Sequence, residues 1–177
     1  MIKTERLDVR YAALQDIDDI FEYISDDEVM KYERENYPTK ESFSPLFNVL
    51  IENNLLYVVR VKGEEKVIGH IFLGKTNPGI NNEYNIGYIF NPVYQGKGYC
   101  TEAAKALIDY GFEVLQANRI RAACNPENVP SWRVMEKAGL RKEGYFEKRF
   151  YIRDDVDGNP VYTDEVVYGI HVSKWKN

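Results

Sequence analysis

The chain has 177 residues, 44% hydrophobic and 29% charged, the balance of a folded globular domain and not of a disordered one. A chain of this length buries roughly two thirds of the surface its unfolded form exposes, so it needs no disulfide or metal staple. Its net charge of -5 argues against nucleic acid as the main partner, because phosphate backbones are held by clustered Lys and Arg. A mildly acidic surface suits a cationic acceptor, or simply solubility.

Cys100 and Cys124 are the only cysteines and have no metal-like spacing, which reads as two reduced thiols in a cytoplasmic protein without a metal site. The opening MIKTERLDVR lacks the apolar stretch of a signal peptide, and no apolar run approaches the ~18 residues of a membrane span. The expectation is a soluble, intracellular protein.

In chain order, 7–10 predicts a short strand. Asp16 reads as the cap of a helix with Ile17, Ile20, Phe21 and Ile24 at helical spacing. A ragged helical piece follows over 27–33. Thr39, after Pro38, starts another helix whose Phe43, Leu46, Phe47, Leu50 and Ile51 form one stripe, and Asn53 and Asn54 end it. The period then changes. Segments 55–61 and 67–74 are rich in Val, Ile and Leu around Lys62-Gly63-Glu64-Glu65, which predicts a hairpin.

After a loop over 76–81, Tyr84, Ile86, Tyr88 and Phe90 alternate with Glu83, Asn85, Gly87 and Ile89 as a third long strand, stopped by Pro92. A helix over 101–115 carries Ala103, Leu107, Tyr110 and Val114 on one stripe, and 119–124 is a strand. A helix over 129–138 has Pro130 in its first turn and Gly139 as its stop. Two strands, 144–152 and 161–171, close the chain around an acidic, turn-rich loop over 154–160. Residues 1–177 therefore read as a single α+β domain, with a mixed, mostly antiparallel sheet of six or seven strands flanked by helices. The strand–loop–helix–strand of 83–124 requires its two strands to run parallel.

The stretch Asn91-Pro92-Val93-Tyr94-Gln95-Gly96-Lys97-Gly98-Tyr99-Cys100-Thr101-Glu102-Ala103-Ala104 carries the chemistry. A strand ends, a glycine turn follows and a helix begins, which turns backbone N–H groups toward one point at the positive end of the helix dipole. Gly96 and Gly98 present no side chain to block a phosphate, and Lys97 adds a positive charge. A glycine-rich turn without a ligand remains the plain alternative. The spacing is not that of a Walker A loop, and the dinucleotide fingerprint lacks its third glycine.

Gln95-x-x-Gly98-x-Cys100 resembles the Gln/Arg-x-x-Gly-x-Gly/Ala signature of the GNAT superfamily of N-acetyltransferases. Ile86 to Pro92, Gly98 to Ala103, Asn128-x-x-Ser131, Glu136 to Leu140 and Asp164 to Tyr168 are similar to the branch containing bacterial ribosomal-protein N-terminal (alanine/serine) acetyltransferases. The resemblance covers essentially the whole chain, with five segments in register. It implies the GNAT-like acyl-CoA N-acyltransferase fold, and acetyl-CoA in a cleft where the strand ending at Phe90 splays from the strand ending at Cys124. Backbone groups around Phe90 would then pair with the pantetheine arm. Amides of Gln95, Gly96, Lys97, Gly98, Tyr99 and Cys100 would take the pyrophosphate.

Cys100 stands where the family has Gly or Ala and reads as packing, with no histidine near in sequence to activate it. Asn128 reads as a helix N-cap and, by the resemblance, also as a ligand to the coenzyme arm. Ser131 would face the sulfur as general acid, or is an ordinary first-turn serine. Many relatives place a tyrosine acid where Met135 stands, and a glutamate where Asn85 stands. Glu83, two residues before Asn85 on the same strand face, is the candidate general base through water, or a solvated strand-end charge.

His70 and His171 read as packed or surface strand residues. Glu33, Glu35, Asp154 and Asp155 could draw a cation to the acceptor cleft, or form a solvated face. The reading is an N-acetyltransferase acting by direct attack of a primary amine, either a protein N-terminal α-amine or a small-molecule amine. The alternative is a catalytically weak acetyl-CoA-binding sensor or assembly module. Homodimer formation is common in such folds; neither nucleic acid nor membrane is expected as a partner.

Overall fold

The computed structural model describes residues 1–33, 35–76, 82–154 and 156–176. Most of the predicted loop over 76–81, together with Asp155, lies outside them. The elements are β1 (Ile2–Lys3), β2 (Leu7–Tyr11), α1 (Ile17–Ile24), α2 (Asp27–Met30), α3 (Lys40–Glu52), β3 (Leu56–Val61), β4 (Val67–Lys75), β5 (Glu83–Phe90), α4 (Tyr99–Glu113), β6 (Arg119–Cys124), α5 (Val129–Lys137), β7 (Arg141–Asp154) and β8 (Pro160–His171).

Among the described residues the strands form one sheet of eight, in the order β1-β2-β3-β4-β5-β6-β8-β7. The sequence predicts six or seven. The additional strand is β1, whose two residues pair with β2 and are too few to show an alternating pattern. β5 and β6 are parallel, as the strand–helix–strand connection requires, and the remaining neighbours are antiparallel.

Helices cover both faces and make two cores. On one face α4 buries Ala103, Leu107, Ile108 and Phe112 against Leu7, Val9, Leu73, Ile86 and Ile120. Its approach depends on Gly111, where an added Cβ would lie 2.7 Å from Ile120 Cδ1. On the other face Ile20, Tyr23, Ile24, Phe43 and Phe47 of α1 and α3 close over Leu56, Val58 and Val67. Each fully buried aliphatic side chain contributes roughly 1.5–3 kcal/mol, so Leu107→Ala alone would cost about 2–5 kcal/mol.

Two local expectations change. Asp16 precedes α1, but its carboxylate does not cap that helix. It accepts two bonds from Arg10, at 2.7 and 2.6 Å, and one from the Ala13 N–H at 2.8 Å, tying β2 to the turn before α1. A bidentate guanidinium is a stronger partner than a helix amide. The stripe on α3 is also narrower than predicted, with Phe43 and Phe47 buried and Leu46 38% exposed. Thr39 does cap α3, accepting the Ser42 N–H at 3.2 Å.

Candidate active site

β4 pairs with β5 from Gly69↔Phe90 to Lys75↔Tyr84, and β8 pairs with β6 from Arg119 to Cys124. Between β5 and β6, pairing runs only from Glu83↔Arg119 to Asn85↔Arg121. Beyond that point each strand follows its outer neighbour, and the accumulated twist carries the two apart. The inner edge of β5 from Ile86 to Phe90 is left without a partner strand. A cleft of about 1520 Å³ opens there, lined by β5, by the turn into α4 and by the first turn of α5.

That turn is built to leave amides free. The Gln95 Nε2 donates to the Phe90 carbonyl at 2.8 Å, pinning the turn to the strand end. Gly96 and Gly98 adopt φ of 74° and 81°, left-handed conformations that cost other L-residues roughly 1–2 kcal/mol. Gly98 is the N-cap of α4 and supplies no capping side chain, so the first-turn amides point outward at the positive end of the dipole.

The turn is braced from beneath. The Arg6 Nη1 donates to the Lys97 carbonyl at 3.0 Å, while its Nε and Nη2 each reach Glu102 Oε2 at 2.7 Å. Its guanidinium also lies 4.7 Å from the Tyr99 ring centroid. The Thr4 hydroxyl donates to Glu102 at 2.5 Å and the Arg6 N–H at 2.9 Å. Burial raises the pKa of the Glu102 carboxyl, but these bonds outweigh it and hold the group below its ordinary value. A carboxylate in the first turn of α4 would oppose an anion; here it is already neutralised. Arg6, Thr4 and Glu102 escape sequence reading because Arg6 and Glu102 lie 96 positions apart.

The predicted coenzyme residues come together unevenly. Phe90, Gln95, Gly96, Gly98, Tyr99, Cys100 and Asn128 all line the cleft. The Phe90 ring turns away into the core, packed over Gly69, where an added Cβ would lie 2.5 Å from it. Lys97 lies outside the lining, its ammonium 5.2 Å from the Tyr94 ring centroid. Burial pushes the Cys100 thiol up, so it is protonated and packed.

Asn128 caps α5 by accepting the Ser131 N–H at 3.2 Å, and Ser131 faces the cleft. The Tyr88 hydroxyl donates to the Ser131 carbonyl at 2.7 Å, which ties the β5 arm of the cleft to α5. Burial pushes the Cys124 thiol up, and Cys124, at the end of the β6 arm, lines the cleft together with Ser131. Met135 is 3% exposed, a core side chain with no proton to give.

Glu83 is not brought to the cleft. It sits where β5 and β6 are still paired, accepting Arg119 Nε at 2.9 Å and Thr76 Oγ1 at 3.1 Å. His70 packs against Tyr23, whose hydroxyl lies 2.7 Å from Nδ1, and burial lowers its pKa to about 4. His171 bonds Ser173 at 2.9 Å at the far end of β8. Glu33 lines the cleft, and both Glu33 and Glu35 line an adjoining apolar pocket of about 380 Å³ that shares His70 and Ile89 with it. Asp154 ends β7 and is outside the lining. Among the described residues no group of His, Cys, Asp and Glu could hold a metal, and no helix is long and apolar enough to cross a membrane.

The acetyltransferase (GNAT) domain family matches residues 6–141. The uncharacterized N-acetyltransferase YnaD of Bacillus subtilis (strain 168) is 40% identical over 175 residues, 98% of each chain. A GNAT-family acetyltransferase from Bacillus anthracis superposes with a TM-score of 0.84 at 40% identity, covering 96% of this chain and 97% of that one. The spermidine N-acetyltransferase of Vibrio cholerae, solved with CoA and spermine, gives 0.82 at 25% identity, covering 98% and 100%. The ribosomal-protein-S5-alanine acetyltransferase of Vibrio fischeri gives 0.79 at 26%, covering 99% and 98%. A splayed strand pair, an uncapped glycine turn and these likenesses agree: the chain belongs to the GNAT family of acetyl-CoA-dependent N-acetyltransferases.

Proposed function

We propose that this enzyme binds acetyl-CoA along the open edge of β5 and transfers its acetyl group directly to a primary amine. The observation that carries the reading is that the uncapped N-terminus of α4 and the unpartnered edge of β5 open into one cleft. Amides from Gln95 to Cys100 would take the pyrophosphate, with Asn128 holding the arm beside them. The free edge of β5 would pair with the pantetheine as a strand would, and its amides near Phe90 would stabilise the oxyanion.

Ser131, which lines the cleft at the first turn of α5, would protonate the departing thiolate. The attacking nitrogen must be neutral, and its proton leaves through cleft water, since Glu83 is engaged with Arg119 outside the cleft. No covalent enzyme intermediate is involved, because burial keeps the Cys100 and Cys124 thiols protonated. Positioning and oxyanion stabilisation supply most of the rate.

Titration of acetyl-CoA by calorimetry, followed by thiol release with a panel of polyamines, amino acids and peptide N-termini, tests the reading. Saturable binding with turnover of at least one amine supports it. Binding without turnover favours a second reading, an acetyl-CoA sensor, for which Asn85 and Met135 at two positions where relatives carry catalytic side chains are the specific observation.

A further inference from the structure

Arg119 and Arg121 stand two residues apart on β6 and project from the same sheet face, opposite α4. Arg119 is fully engaged, with Glu83 at 2.9 Å on one side and Glu143 at 2.8 Å on the other. Arg121 makes no hydrogen bond or ion pair among the described residues. Its Nε is the one buried side-chain polar atom there without a partner. Buried donors are almost always satisfied, so an arginine Nε left this way calls for a partner that the described residues do not supply.

Its position says what kind of thing. Arg121 is the last β6 residue paired with β5, so it sits at the apex of the splay and lines the cleft. It lies on the sheet face opposite α4, the face that α1 and α3 cover. Beside it on the same face, beyond Asn85, is Gly87, where an added Cβ would meet nothing within 4 Å. Free volume therefore lies near the Arg121 side chain. Of the cleft carboxylates, Asp26, Glu28 and Glu33 are exposed, Asp164 accepts the Lys148 N–H at 2.8 Å, and Glu165 has the Arg149 guanidinium 3.7 Å away.

We propose that Arg121 binds the acceptor, and that the amine acetylated here carries a carboxylate, which the guanidinium at the apex of the splay receives. The inference rests on the cleft being the acetyl-transfer site. A carboxylate matches the planar fork with two parallel bonds, whereas a polyamine would bring like charge to a partly buried cation.

The test uses the full chain saturated with CoA, titrated by calorimetry with matched pairs that differ only in the carboxylate: L-lysine against cadaverine, and L-ornithine against putrescine. Each amino acid should bind about tenfold or more tightly than its diamine, the yield of one charge-assisted contact. Arg121→Gln and Arg121→Met should erase that preference by weakening the amino acid alone, Arg121→Lys should keep part of it, and affinity for CoA should not change. Circular dichroism of all three variants separates misfolding from loss of contact.

Diamines binding as tightly as amino acids, neither class binding, or Arg121→Gln weakening both classes or CoA equally would overturn the inference. Thiol release with the same panel reports separately on catalysis. A carboxylate preference in binding without any turnover would sink the transferase reading and leave the role of Arg121 standing. Turnover of diamines alone would do the reverse.

Discussion

Two helices begin at the same cleft, and their first turns are finished differently. α5 starts from Asn128, whose side chain takes the Ser131 N–H, while Pro130 has no N–H to offer. α4 starts from Gly98, which has no side chain to spend on its own amides. The first end is closed and contributes a hydroxyl; the second is open and contributes backbone donors. A helix N-terminus is an open anion site when its cap residue declines the amides, and under the proposed function the choice between Asn and Gly would assign binding to one end and chemistry to the other.

That division of labour can be broken in order of expected effect. Ser131→Ala should lower kcat about a hundredfold, the lower range for a lost general acid, with little change in KM for acetyl-CoA. A change confined to KM would mean that α5 binds and does not react. Gly98→Asp would close the open end, since its carboxylate would occupy the amides and repel phosphate. Acetyl-CoA affinity measured by calorimetry should fall about thirtyfold, from a cap worth ~1 kcal/mol and a like-charge repulsion of similar size. An unchanged affinity would remove the pyrophosphate from α4.

Asn128→Ala should cost about 1 kcal/mol in urea unfolding, the usual loss for an N-cap, with the coenzyme contact adding a modest rise in KM. The smallest effect is one of pH. Glu102, held by Thr4 and Arg6, has a folded pKa below its ordinary 4.5, so its contribution to bracing the α4 turn is complete above that value. It is lost as pH falls through the depressed value. Coenzyme affinity should therefore be flat from neutral pH down to about 5 and decline below the ordinary carboxylate range, and Glu102→Gln should flatten that decline.

Much of this was legible because it is local. The alternation of Tyr84, Ile86, Tyr88 and Phe90, the buried Ala103 and Leu107 of the helical stripe after Thr101 and the caps at Thr39 and Asn128 match the elements observed, while Val114 of that stripe lies past the end of α4 and is exposed. The turn Gln95 to Cys100 was legible for the same reason, since glycine before a helix is a backbone instruction. Glu83 shows where such reading stops. Strand parity put it on the same face as Asn85, which holds, but its partner Arg119 is 36 positions away and holds the carboxylate outside the cleft lining. Asp16 sits before a helix and still gives its carboxylate to Arg10.

By itself the sequence determined the order of helices and strands, the parallel pair implied by the 83–124 connection, and an amide-lined turn, because periodicity, capping and glycine geometry act over a few residues. Only the tertiary structure decided which side chains face that turn. The divergence of β5 from β6 arises from their pairing with β4 and β8, the brace of Arg6 on Glu102 closes across the fold, and Arg121 is distinguished from Arg119 only by what lies beside it in space. Burial and ion pairing are properties of neighbours, and neighbours distant in the chain are set by the packed sheet.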